Sequence, residues 1–344
     1  MAGMGRMMKK YLRYIIVFIL LLLFSSCNDK KSISNTFFAM DTTMTVTIYG
    51  KNREKAIKEC EETIIRFDSL FSVTDSNSDV SRLNNSNNEF VELNSETVEI
   101  IKDAITLGEK TDYLFDITIS PVVEAWGFYD KTYMVPSNEE LEQLIEKVDA
   151  SAIEINGNKV KLSEGQKIDL GGIAKGYLSD RIKEILTRNK IDKAVISLGG
   201  SVLVIGEKDK DILWNVGLED PFKEQSYMGI LTVRDNTIVT SGDYERFFIE
   251  NGTKYHHIFD PNTARPASNG LVSVTVIMPN GTKAEVLSTA LFIMGEEKAI
   301  EYWKTNRDFE MILINDSREV LGTPNLKDSF SLSGDYGYTL RWIG

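Results

Sequence analysis

From Thr36 to the end of the chain, short runs of alternating apolar and polar residues are separated more often by turn signals than by helices. This pattern restricts the fold more than any other feature. Parallel strands need a crossover of a dozen or more residues, whereas antiparallel strands need only a tight turn. Met44, Val46 and Ile48 alternate with threonines as a half-buried strand, and Asn156-Gly157 within Ile153–Leu162 is a two-residue hairpin signal. Further short strands are expected at Ile168–Leu170, Ala194–Leu198, Val202–Ile205, Trp214–Leu218, Gly229–Val233, Ile238–Ser241, His256–Phe259 and Val272–Met278. Helices are expected at Asn52–Phe71, from Ser95 to about Asp112, from a Ser137/Glu140 capping box to Val148, and at Tyr177–Asn189, Ala284–Ile293 and Glu296–Thr305. Hairpins outnumber strand–helix–strand units, so the expected class is α+β, with mixed, mainly antiparallel sheets and packed helices. No linker, repeat or low-complexity block interrupts 36–344, which reads as one domain.

The N-terminal segment does not belong to that domain. Met1–Cys27 carries Arg6, Lys9, Lys10 and Arg13 with no acid, then an unbroken apolar run from Ile15 to Phe24, then Ser25-Ser26-Cys27. A spanning helix needs about 20 apolar residues, roughly twice this run, so a secretory signal is the better reading than a transmembrane anchor. Phe24-Ser25-Ser26-Cys27 resembles a bacterial lipobox, which implies lipidation of Cys27, cleavage before it and an extracytoplasmic protein held on a bacterial membrane, with the periplasmic side of the inner membrane favoured. The polar stretch 28–35 then reads as a tether.

Composition narrows the chemistry. The 344 residues include two histidines and two cysteines, which excludes a four-thiolate zinc site and any framework of several disulfides. Cys60 falls on the apolar stripe Ile57, Cys60, Ile64, Phe67, Phe71 and reads as a buried small hydrophobe. The formal charge of -12 becomes -16 once the four basic residues of the signal are removed. A balance so acidic argues against a nucleic-acid backbone as ligand.

Three clusters can carry chemistry. Lys167–Tyr177 runs through Asp169, Gly171-Gly172 and Lys175; both a tight strand-to-helix turn and a phosphate cradle fit it, and it matches neither a Walker loop nor GxGxxG. His256-His257 is the sole source of imidazole, and on a strand the two rings would face opposite sides, so one at most enters a given cleft. Glu285 and Thr289, one helical turn apart, present a carboxylate and a hydroxyl to one side, a set suited to a hard cation such as Mg2+ or equally to a glutamate settled in a first helical turn.

Read in order, these segments resemble the FAD:protein FMN transferase (ApbE-type) family. The likeness runs through Ala39–Met44, Ser78–Asn84, Phe115–Thr118 with Pro121, Ala125–Phe128, Asp169–Tyr177, Leu198–Gly200, Trp214–Pro221, Thr240–Arg246, His257–Pro261 and Glu285–Thr289. It implies an ApbE-like fold with the site between two subdomains. It also implies transfer of the FMN half of FAD to a threonine or serine hydroxyl of an acceptor protein, with release of AMP. His257 is the implied catalytic base. Met40, Thr74, Ala125, Trp126, Gly127, Asp169, Lys175 and Phe259 are the implied FAD contacts, and the Gly172 carbonyl, Glu285 and Thr289 the implied Mg2+ ligands. Acceptors of the family carry a DGxSGAT-like segment in subunits of the sodium-pumping NADH:quinone reductase and Rnf complexes; none occurs in this chain. Glu285 stands where aspartate is usual, Asp41 where glycine is common, Ser197 and Ser201 flank Gly199-Gly200 where amide or acid side chains are usual, and Ala264 replaces a glycine. Two other readings share these residues: an FAD pyrophosphatase releasing FMN and AMP, and an FAD-binding lipoprotein without catalysis.

Overall fold

The structure is a computed structural model that describes residues 31–334 and 336–344. The expected signal segment with Cys27, and the beginning of the expected tether, lie outside the described residues. No helix among the described residues is long and apolar enough to cross a membrane.

Among the described residues the largest sheet has nine strands: β1 (Ser32–Ala39), β2 (Thr42–Tyr49), β3 (Ala194–Leu198), β4 (Ser201–Ile205), β5 (Asn236–Gly242), β6 (Leu271–Met278), β7 (Glu310–Asn315), β8 (Glu319–Gly322) and β9 (Thr339–Trp342). They lie side by side in chain order, every pair antiparallel except β8 with β9. The α+β expectation therefore holds. One boundary moves: β1 starts at Ser32, opposite Tyr49, inside the segment expected to be tether. Its outer face is polar because hydroxyls pair across the strands, Ser34 Oγ with Thr47 Oγ1 at 2.8 Å and Thr36 Oγ1 with Thr45 Oγ1 at 3.1 Å.

The sheet is covered on both faces. One face carries helices α1 (Arg53–Phe71), α2 (Asp79–Asn84), α3 (Ser95–Glu109), α6 (Gly171–Arg188) and α7 (Gly281–Thr305), of which α1, α6 and α7 pack in succession, while α4 (Ser120–Ala125) and α5 (Asn138–Ile145) pack on each other in a separate apolar unit. The other carries a three-stranded sheet of Trp214–Glu219, Tyr227–Val233 and Phe330–Leu332. β6 is consequently buried along its whole length: Val274 and Val276 meet α7, and Ile277 meets the small sheet. Each such side chain contributes roughly 1.5–3 kcal/mol of burial. Cys60 lies in the α1 core as expected, and burial pushes its thiol up to about 12, which leaves it inert.

Several expected elements change, two of them at the site. Ile168–Leu170 joins no sheet and Leu170 already has helical dihedrals as the cap of α6; the Asn84 side chain serves as the neighbour of Ile168, with Asn84 Oδ1 accepting from the Ile168 amide at 2.7 Å and Asn84 Nδ2 donating to the Ile168 carbonyl at 2.9 Å. Helix α6 begins at Gly171, not Tyr177, so the glycine pair lies in its first turn. The expected break between Ile293 and Glu296 is present as Gly295, at φ 77° inside α7.

Candidate functional site

Two tight turns begin the site. Met40-Asp41 joins β1 to β2 and Gly199-Gly200 joins β3 to β4, and all four residues have positive φ, as two-residue hairpins demand. The two non-glycine residues hold this conformation at a cost on the order of 1 kcal/mol each. The Met40 amide donates to Asp68 Oδ1 at 2.7 Å, which ties the turn to the end of α1.

Helix α7 is placed by α6. A Cβ on Gly176 would lie 2.2 Å from the Gly281 carbonyl oxygen, so only glycine permits this approach. One turn along α6, the Asp180 carboxylate accepts from the Gly281 and Thr282 amides, both at 2.8 Å, and from the Thr282 hydroxyl at 2.6 Å. These bonds start α7 at Gly281, before the expected Ala284. Glu285 is therefore past the first turn, and the reading of it as a dipole-stabilised first-turn acid does not apply. It is instead 5% exposed, with Lys175 Nζ 3.0 Å from Oε1 and the Ser201 hydroxyl donating to Oε2 at 2.9 Å. The Glu285 charge holds the Lys175 ammonium above the usual lysine range.

Around this pair opens a cleft of about 890 Å³, between the helical side of the main sheet and a smaller apolar unit built on α4, α5 and Phe259. Met40, Thr74, Asp169, Gly172, Lys175, His257, Phe259, Glu285 and Thr289 all line it. Asp169 is held at both oxygens: Oδ1 accepts from the Gly171 amide at 2.7 Å and Oδ2 from the Tyr129 hydroxyl at 2.9 Å. Thr289 Oγ1 lies 3.4 Å from Ser241 Oγ, which also meets Ser288 Oγ at 2.8 Å. Gly172, in the first turn of α6, aims its carbonyl along the axis toward the amide four residues on, which leaves that oxygen one lone pair for a cation.

Ala125, Trp126 and Gly127 are not among the lining residues. Trp126 has no exposed surface; its Nε1 donates to the Ala264 carbonyl at 2.9 Å and its ring packs on Phe259, 5.6 Å between centroids, behind the wall. Gly127, at φ 73°, turns the chain against Thr132.

The histidines part as expected, though the strand ends at His256. That ring is buried, with Nε2 bonded to the Ala267 carbonyl at 2.9 Å and Nδ1 accepting from the Ile258 amide at 3.2 Å. His257 faces the cleft. Its Nδ1 lies 3.2 Å from the Arg246 carbonyl, an acceptor, so Nδ1 carries the hydrogen and Nε2 the free lone pair. Burial first, and then the Arg246 guanidinium, push this imidazole down to about 3, so the ring is neutral at pH 7 with Nε2 unprotonated. Sequence reasoning assigned no role to Glu245, Tyr129 or Ser201. Glu245 stands in the cleft mouth, raised to about 7 chiefly by its enclosure and further by Glu285, with Lys175 opposing.

The donors at Glu285 are oxygens only, and no group of three or more His, Cys, Asp or Glu able to hold a metal exists among the described residues. One carboxylate with hydroxyl and carbonyl oxygens fits Mg2+, which is usually bound by one or two carboxylates and completed by substrate phosphates.

The profile of the ApbE family matches residues 40–313. A FAD:protein FMN transferase of Klebsiella pneumoniae is 28% identical over 299 residues, covering 86% of this chain and 92% of that protein. One of Treponema pallidum is 31% identical over 246 residues, covering 67% and 68%. Among solved structures, the ApbE protein of Thermotoga maritima superposes with a TM-score of 0.81 at 32% identity, over 87% of this chain and 99% of that one. The flavin transferase ApbE of Vibrio cholerae gives 0.75 at 26% identity, over 88% and 96%. The match spans both turns of the site, the α6 N-terminus, the His257 segment and the start of α7, and the chain belongs to the ApbE family.

Proposed function

We propose that this protein transfers FMN from FAD to a serine or threonine hydroxyl of an acceptor protein and releases AMP. The observation that carries the reading is the convergence on one cleft of a neutral imidazole with a free Nε2, a fixed carboxylate at Asp169 and the Lys175–Glu285 pair. The acceptor hydroxyl gives its proton to His257 Nε2 as its oxygen bonds to the FMN phosphorus. The bond from that phosphorus to the AMP oxygen breaks, and AMP leaves with the electron pair. Lys175 would bind a phosphate oxygen, and Phe259 and Met40, which line the same cleft, would meet the rings of FAD. Mg2+ would be held by Glu285, Thr289 and the Gly172 carbonyl, and when bound it neutralises charge on the pyrophosphate.

We also propose that Cys27 is lipidated, which holds the enzyme on the outer side of the cytoplasmic membrane beside acceptors bearing a DGxSGAT-like segment, such as subunits of Nqr and Rnf complexes. The sequence of the first 27 residues supports this reading. The test incubates the protein with FAD, Mg2+ and a carrier protein bearing a DGxSGAT-type tag, followed by in-gel flavin fluorescence and AMP determination. A fluorescent carrier with one AMP per flavin is expected. AMP release with no labelled carrier would replace the transferase by a pyrophosphatase, and FAD binding with neither product would leave a binding protein.

A further inference from the structure

We propose that the free edge of the strand Phe247–Glu250 is the docking site of the acceptor, which adds to it as one further strand and so brings its hydroxyl to His257. The inference rests on the flavin-transfer reading and names the surface that reading needs. Phe247–Glu250 pairs antiparallel with Thr253–His256 and with nothing else, so its other edge has no strand partner among the described residues. The His257 amide donates to the Arg246 carbonyl at 3.1 Å, which fixes the phase of the ladder. Antiparallel pairs alternate between bonded and non-bonded positions, so Phe248 and Glu250 bond inward while Phe247 and Ile249 direct their N–H and C=O groups to the free edge.

The same two residues expose apolar side chains, Phe247 at 41% and Ile249 at 65%. Proteins usually blunt such an edge with charge, proline or a bulge. Here it is left open and apolar where it runs into the site: Phe247 lines the cleft beside Arg246 and His257. Phe248, on the opposite face, stacks on Tyr133 and Tyr255 at 5.0 and 5.2 Å, so the hairpin is anchored to the wall and does not swing freely. His257 lies across the strand from this edge, opposite Arg246, so an occupant paired along it ends its run at Arg246 and Phe247, at the cleft that His257 lines and that an acceptor hydroxyl must enter. That continuity favours an extended acceptor segment over a second copy of the chain or a lipid surface. Main-chain bonds to Phe247 and Ile249 would supply affinity with little demand on sequence, and the two exposed side chains would meet acceptor residues two positions apart.

The test separates docking from chemistry. Ile249→Pro removes the outward N–H without breaking an inward bond, since proline is tolerated on edge strands. Ile249→Thr keeps the amide and the strand propensity and removes only the apolar contact. With FAD, Mg2+ and the DGxSGAT-tagged carrier, Ile249→Pro should raise the KM for carrier at least tenfold, with kcat within twofold and FAD affinity unchanged; Ile249→Thr should raise it a few-fold. An unchanged KM in Ile249→Pro overturns the docking proposal while leaving flavin transfer intact. So does a wild-type dimer that Ile249→Pro converts to monomer with KM unaltered, or loss of vesicle binding with KM unaltered. If the wild-type protein binds FAD and labels no carrier, the functional reading fails with it.

Discussion

Gly176 is where a single methyl group most directly tests the architecture of the site. In an exposed helix interior, glycine to alanine stabilises by about 1 kcal/mol through propensity. At Gly176 the structure predicts the opposite sign. The new Cβ would stand 2.2 Å from the Gly281 carbonyl oxygen, 2.7 Å from its carbon and 2.9 Å from Glu285 Cβ. Two of these atoms are backbone at the capped start of α7, where the Asp180 bonds resist displacement. Relieving the contact requires α6 and α7 to separate by roughly 1 Å, and overpacking of this kind costs about 1–3 kcal/mol. The methyl group also lies against the residue paired with Lys175 at 3.0 Å, so the pair is disturbed together with the packing. Gly176→Ala should lower Tm by roughly 2–6 °C and reduce transfer by an order of magnitude or more, since about 1 Å of misplacement can cost a hundredfold in rate. Thermal unfolding and the rate of carrier flavinylation read the two effects. A Tm equal to or above that of the wild type would refute the close crossing of α6 and α7.

Three further perturbations separate the remaining roles. Because burial lowers His257 to about 3, its neutral form persists well below pH 6.5, so transfer rates should show no acid limb near 6.5 from this ring; its contribution to stability rises with pH between about 3 and 6.5, where the unfolded chain binds the extra proton. Any limb near 7 belongs to Glu245 and should vanish in Glu245→Gln; a limb that survives that substitution contradicts the assignment. Glu285→Gln leaves Lys175 without its anionic partner; with Lys175 a quarter exposed the loss is about 1–3 kcal/mol, and calorimetric FAD titrations should lose their dependence on Mg2+. Trp126→Phe strips the Ala264 carbonyl of its buried donor, at about 1–3 kcal/mol by chemical denaturation, while FAD affinity changes less than threefold; a large loss of affinity at full stability would put Trp126 in the binding surface.

The parts of the fold legible in sequence are those decided by local periodicity. The hairpin signalled by Asn156-Gly157, which turns one residue later at Gly157-Asn158, the Ser137 cap that accepts from the Glu140 amide, and the strands around Met44 and Val274 depend on residues a few positions apart. What escaped depends on partners distant in sequence. Ile168–Leu170 has the composition of a strand, but Asn84, 84 positions away, takes its backbone groups. The glycines before Lys175 have the composition of a turn because isolated glycine weakens helices, whereas the Asp169 carboxylate, accepting from the Gly171 amide, starts the helix at them. Trp126 was expected against ligand; its ring is fully buried and its Nε1 donates to the Ala264 carbonyl, 138 positions away. Tyr129 carried no signal at all, although it fixes one oxygen of Asp169.

The net charge of the chain says little about how an anionic substrate is held; the charge of the cleft says more. Its lining includes six carboxylates, Asp41, Asp68, Asp116, Asp169, Glu245 and Glu285, against three cations, Lys131, Lys175 and Arg246. One of those cations is already matched to Glu285, so Lys175 brings less free positive charge to a pyrophosphate than its position suggests. FAD, with two negative phosphates, therefore enters a site whose own charge opposes it. Charged groups within a Debye length of about 8–10 Å feel this at moderate salt, and less as salt rises. Removing Mg2+ with EDTA should weaken FAD binding at least tenfold at low salt, and added NaCl should recover part of that loss, because screening weakens the repulsion that the cation otherwise cancels. In Glu245→Gln, which removes one carboxylate from the mouth without touching the proposed cation ligands, metal-free binding should tighten. Metal-free FAD affinity that is insensitive to both salt and Glu245→Gln would mean that the acidic lining does not act on the phosphates, and that they lie elsewhere than beside Lys175.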